Sequence, residues 1–93
     1  MAGGRVNGSP EALEKMAKNI SKFIEAQGRL VASLNSDYRS AGQEWKDSKY
    51  QQLGAIINDA CRVINNSTPT LTRCVSGIQS MKRAMDDYNS SNL

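Results

Sequence analysis

The 93-residue chain holds few side chains able to do covalent or acid–base chemistry, and their spacing keeps those few apart. It has no histidine, the residue that most often serves as a general base near neutral pH and as a metal ligand. Cys61 and Cys74 are 13 positions apart, too few and too distant for a zinc site. On one continuous helix that separation spans about 20 Å at 1.5 Å per residue, whereas a disulfide needs Cα atoms within about 7 Å. Both are therefore expected as free thiols that behave as apolar groups. Asp86 and Asp87 are adjacent and point to different sides of a helix, so they cannot act together on one substrate atom. No phosphate-cradling loop, nucleophile elbow or dinucleotide fingerprint is present. The expectation is a protein that is not an enzyme and uses no cofactor and no metal.

The elements that carry these side chains read as helices. Ser9-Pro10-Glu11 is a helix start: Ser caps free N–H groups, Pro suits the first helical position, and Glu faces the positive end of the dipole. The Gly-rich residues 1–8 before it are expected to be a flexible arm. Apolar residues then recur at Leu13, Met16/Ala17, Ile20, Phe23/Ile24, Leu30/Val31, Leu34, Tyr38, Ala41 and Trp45, the three-four spacing of a helix with one buried stripe. Gly28 costs about 1 kcal/mol relative to Ala in such a helix, which a stretch this long absorbs. A second run, Tyr50, Leu53, Ile57, Ala60, Ile64, Ser67, Leu71, Cys74, Ile78, Met81, Met85 and Tyr88, holds one register straight through Asn65-Asn66-Ser67-Thr68-Pro69. That continuity predicts one helix kinked at Pro69, at a cost of roughly 3 kcal/mol for the interior proline; a break into two helices is the alternative.

Trp45 fits the first stripe and Asp47 is a good N-cap for the second helix, so the turn is expected at Lys46-Asp47, with Gly42 an earlier alternative. A short connection makes antiparallel neighbours. The fold class is thus all-α, one domain over residues 1–93, with helix one over about 9–45, helix two over about 48–88 and a tail at 89–93. The arms should run roughly 50–60 Å at 1.5 Å per residue. Folding at that turn pairs positions whose numbers sum to about 94, such as Leu34 with Ala60, Leu30 with Ile64, Phe23 with Leu71, Met16 with Ile78 and Leu13 with Met81. Gln27 then meets Ser67, either as a polar layer that fixes register, as in coiled coils, or as two polar residues tolerated beside Pro69.

Ile24, Val31, Ile56, Val63 and Val75 lie beside the stripes and widen them, and are the candidate dimer surface. A lone two-helix hairpin has little interior and needs a covering partner. Aromatic residues make up 5% of the chain, thin for a β-sandwich or a compact α/β unit. Twelve basic against nine acidic residues give a net charge of +3, a mild excess that does not suggest nucleic-acid binding. Lys15, Lys18, Lys22 and Arg29, with Glu25 among them, form a band along helix one that reads as a solvated face. No segment approaches the roughly 20 apolar residues of a membrane span, so no stable membrane insertion is expected. The start lacks the apolar core of a secretory signal; export, if it occurs, would use a route independent of a signal peptide.

With its Ser9-Pro10-Glu11 start, two long amphipathic helices, Trp45-Lys46-Asp47 at the bend, Tyr50 and Leu53 just after it and Tyr88 near the end, the chain resembles the WXG-type family over nearly its whole length. That family comprises the ESAT-like helical-hairpin substrates of bacterial type VII secretion. Asp47 stands where the family has glycine; Asp tolerates turn dihedrals and caps helices. The family's export signal is Tyr, three residues, then an acid, whereas Tyr88 is followed at that spacing by Asn92. The resemblance implies a homodimer, or a heterodimer with a related hairpin protein, forming a four-helix bundle. It implies a cytoplasmic protein before export that becomes secreted or extracellular after docking on a secretion ATPase. The incomplete signal implies travel with a partner that carries the intact one, or a divergent role. Trp45, Asp47, Tyr50 and Tyr88 are the recognition residues it points to. The runner-up reading is a cytosolic helical adaptor or a filament-forming secretion subunit.

Overall fold

The computed structural model describes residues 9–91. They form two helices, α1 (Pro10–Ala41) and α2 (Ser48–Ser91), that pack against each other as a helical hairpin, with no strand among the described residues. The arm expected over residues 1–8 and the tail residues 92–93, including Asn92, lie outside the described residues. The Cα trace measures 69 × 20 × 18 Å with a radius of gyration of 21.0 Å. A compact chain of this length would have a radius near about 12 Å, so the molecule is a rod.

Ser9 starts α1 as its residue type requires. Its backbone is extended (φ −108°, ψ 150°), its Oγ accepts from the Ala12 N–H at 3.1 Å, and Pro10 takes the first helical position. The helix ends at Ala41, four residues before the expected Trp45. The cause is a tightening of the chain: Gln43 N–H donates to Ser40 O and Glu44 N–H to Ala41 O, each at 3.2 Å, one residue short of helical spacing. The reversal therefore occupies residues 42–47, and Gly42, the earlier of the two candidate turn positions, is where it begins. Asp47 caps α2, its Oδ1 accepting from the N–H groups of Lys49 at 3.0 Å and Tyr50 at 3.1 Å.

α2 runs 44 residues and passes through Pro69 without a break. Proline cannot donate to the Asn65 carbonyl, yet Ile64, Ser67, Thr68 and Leu71 on both sides of it are half-buried against α1, and that packing keeps the helix unbroken. The helix also continues past Tyr88 to Ser91, so Asn89–Ser91 are helical and not tail, there being no Gly or Pro to stop it.

The seam between the helices is built from Leu13, Ala17, Ile20, Ile24, Gln27, Val31, Leu34 and Tyr38 on α1. On α2 it is Gly54, Ile57, Cys61, Ile64, Thr68, Leu71, Val75, Ile78, Lys82 and Met85. The register is close to the expected one, since Ser67 Oγ lies 3.4 Å from Gln27 Oε1. The faces are rotated, however. Of each α1 doublet the smaller or branched member turns inward (Ala17, Ile24, Val31), while Met16, Phe23 and Leu30 are exposed. On α2, Cys61, Val75 and Lys82 take the places expected of Ala60, Cys74 and Met81. This corrects the candidate dimer surface: Ile24, Val31 and Val75 belong to the hairpin's own seam, and only Ile56 and Val63 of that set are exposed. Among the described residues only Ala17, at 5% exposure, and Cys61, at 6%, are buried. Two helices alone cannot enclose a core.

Candidate functional site

Beneath the bend, two tyrosines cross. Tyr38 Oη donates to Tyr50 O at 2.9 Å, Tyr50 Oη donates to Tyr38 O at 2.5 Å, and the rings stack at 4.1 Å with 3° between their planes. Each hydroxyl lies over a glycine four positions past the other tyrosine: Tyr50 over Gly42, Tyr38 over Gly54. A Cβ at either glycine would overlap the tyrosine hydroxyl. The repeated Tyr-x-x-x-Gly at residues 38–42 and 50–54 is thus a two-way lock that draws the helices together where the chain reverses. It was visible as a spacing, but one without known meaning until the two segments are brought face to face. Packing takes water from the Tyr38 hydroxyl, and its bond to Tyr50 adds to the effect, so it ionises above the ordinary tyrosine range. Tyr50, expected as a recognition residue, is half-buried and spent on this lock.

Trp45 sits on top of the lock. Its ring is tilted 58° to that of Tyr50 with centroids 6.0 Å apart. The Trp45 side chain nearby, then the N–H groups of Tyr50 and Lys49, hold the Asp47 carboxylate below its ordinary pKa. Even so the indole is 40% exposed. The tryptophan thus packs against Tyr50 beneath it and still presents part of its side chain at the end of the rod.

The rest of the exposed apolar surface is not scattered. Met16, Phe23, Leu30, Ile56, Val63, Met81 and Tyr88 are all exposed, Phe23 at 54% and Val63 at 70%. Each of the first six stands one position before a seam residue, and Tyr88 extends the Met81 row by seven. One step back is about 100° of helix rotation. In an antiparallel pair the same rotation from each seam emerges on the same side, because reversing the chain and reversing the direction to the neighbour cancel. These side chains therefore share one face. Its α1 row runs Ala12, Met16, Asn19, Phe23, Ala26, Leu30, Ser33, and its α2 row steps by three and four from Leu53 to Tyr88; neither contains a charge. All charged residues in those spans lie elsewhere.

The opposite side holds a groove lined by Glu14, Lys18, Lys22, Glu25, Lys82 and Arg83. Its signs are mixed, and Lys82 Nζ already pairs with Asp86 Oδ2 at 3.2 Å. Lys15 and Arg29 of the expected basic band are exposed nearby on α1. Cys61 and Cys74 are both free, the first buried and the second exposed on the uncharged face. Among the described residues no group of His, Cys, Asp and Glu could hold a metal ion, and no helix is long and apolar enough to cross a membrane.

No protein-family model matches the sequence, and no curated protein or solved structure is significantly similar to it.

Proposed function

We propose that this chain is a protein-binding hairpin of the WXG type: a type VII secretion substrate, or the co-secreted partner of one, that pairs with a second helical hairpin into a four-helix bundle. The observation that carries the reading is the uncharged face. Seven large apolar side chains exposed along one side of a rod form the kind of continuous patch that monomers rarely leave open. Its three-four spacing on both helices is what bundle packing requires. A rod whose seam buries only two of the described residues also gains its missing interior from such a partner. In this reading the face serves pairing, while Trp45 at the bend, outside the pairing face, serves docking on the secretion ATPase, with Tyr88 at the far end of α2. The protein is cytoplasmic before export and extracellular after it.

Sedimentation equilibrium of the purified chain, alone and with any hairpin protein encoded beside it, tests the pairing. A dimer that Phe23→Asp dissociates supports it; a monomer in both mixtures refutes it. Export is tested by secretion from the native host, where Trp45→Ala should abolish release without lowering helix content. Unchanged release would leave the cytosolic adaptor or filament subunit as the better account.

A further inference from the structure

We infer that the uncharged face takes as its partner a different helical hairpin, one whose edge beside α1 carries Asp or Glu at seven-residue spacing, and not a second copy of this chain. The inference rests on the pairing reading above and adds the chemistry of the partner.

The observation that carries it is a row of cations along the outer edge of that face. Lys15, Lys22 and Arg29 stand one position before Met16, Phe23 and Leu30, a further rotation of about 100° round α1 from the seam. All three are exposed, and among the described residues none of them enters an ion pair. At the same spacing the row continues into Gly8 and Ser36, so it holds no acid. Side chains that flank an apolar stripe in this way meet the flanking side chains of the paired helix and set which partner is accepted.

A second copy does not supply the opposite charge. Closed pairs of identical chains are related by a two-fold axis, and two rods joined by this face satisfy one in two ways. With the bends at opposite ends, α1 lies on the partner's α1, and the cationic row meets itself whatever the register. With the bends at the same end, α1 lies on the partner's α2 at equal height. The contact of Gln27 with Ser67 shows that positions summing to about 94 share a height. The corresponding edge of α2 reads Gln52, Asp59, Asn66, Arg73, Ser80 and Asp87. Lys22 then faces Arg73, Arg29 faces Asn66 and Lys15 faces Ser80, while Asp59 and Asp87 fall beyond the two ends of the cationic run. Asp59 is also engaged by Arg62 of its own helix at 3.2 Å. An acid-edged partner replaces the repulsion with attraction in either orientation.

The triple variant Lys15→Glu, Lys22→Glu, Arg29→Glu is the same hairpin with an acidic edge and serves as the probe. Each exposed pair is weak, but several switched from repulsion to attraction act together. By sedimentation equilibrium at low salt, the unaltered protein should bind this variant about five- to a hundredfold more tightly than it binds itself. Salt at about 1 M, where the screening length is about 3 Å, should erase the difference. Equal affinity of the unaltered protein for itself and for the variant overturns the inference and leaves a second copy as the occupant, with pairing intact. No association in any combination overturns the pairing reading and the inference together. Should circular dichroism show that the Glu variant loses helix, the neutral triple Lys15→Gln, Lys22→Gln, Arg29→Gln takes its place. It should associate with itself more tightly than the unaltered protein does, and an unchanged affinity overturns the inference.

Discussion

At the scale of single residues, the glycines divide by what a methyl group would meet. Gly54 and Gly42 leave the space that the Tyr38 and Tyr50 hydroxyls fill, whereas nothing lies within 4 Å of a Cβ at Gly28. Gly54→Ala should therefore destabilise the hairpin by about 1–3 kcal/mol through overpacking. Gly28→Ala, which relieves only backbone entropy in an exposed helix, should stabilise it by up to about 1 kcal/mol; urea unfolding of the two variants measures both. The titrations follow from the same neighbourhood. Asp47 has a lowered pKa in the fold, so its stabilising contribution is present above the unfolded value, about 3.9, and is lost as pH falls through the folded one. Tyr38 has a raised pKa, so its contribution is complete below about pH 10 and is lost as pH rises through the folded value. Thermal melts across pH should show an alkaline loss of stability that Tyr38→Phe diminishes.

At the scale of the elements, α2 carries one interrupted backbone bond and the seam one polar pair. Pro69 deprives the Asn65 carbonyl of its helical donor, and Pro69→Ala should raise stability by up to about 3 kcal/mol, read as a higher melting temperature. Gln27 and Ser67 do meet, but the one hydroxyl proton of Ser67 goes to the Ile64 carbonyl at 2.7 Å, leaving the 3.4 Å approach to Gln27 Oε1 without a donor. Turning the Gln27 amide over would place a donor there. Register is better explained by the crossed tyrosines, whose hydroxyls fit the hairpin only when Gly42 and Gly54 lie opposite them. Gln27→Leu should then leave the melting temperature unchanged or raise it, while Gly54→Ala lowers it. A loss of stability in Gln27→Leu would show instead that the polar layer holds the register.

At the scale of the whole molecule, the rod has two unlike sides. The charged side is solvated, and its exposed pairs, such as Arg62 with Asp59 at 3.2 Å, contribute little. The uncharged side is where pairing would supply the stability that a two-helix seam lacks. If a second copy covers it, the melting temperature should rise with protein concentration. Alkylation gives a second readout. Cys74 on that face should be slow to react in the dimer and fast in Phe23→Asp, while Cys61, buried within the seam, stays slow in both. A Cys74 rate that does not respond to concentration would argue that the face stays open.

Two helices, their start at Ser9, the cap at Asp47 and the passage through Pro69 were legible in the order of residues, because capping and three-four periodicity are relations between positions a few steps apart. The same local pattern left Met16/Ala17, Phe23/Ile24 and Leu30/Val31 as undivided doublets, and it gave each helix one widened apolar stripe with nothing to say which edge of it faced the neighbour. That choice depends on how closely the helix axes approach and at what rotation. Tyr38 with Gly54, and Tyr50 with Gly42, set the approach at the bend, and the partners in each pair meet only once the chain has doubled back. Small and branched side chains then fill the narrow seam, and the larger ones are left outside to form the face on which the proposed function depends.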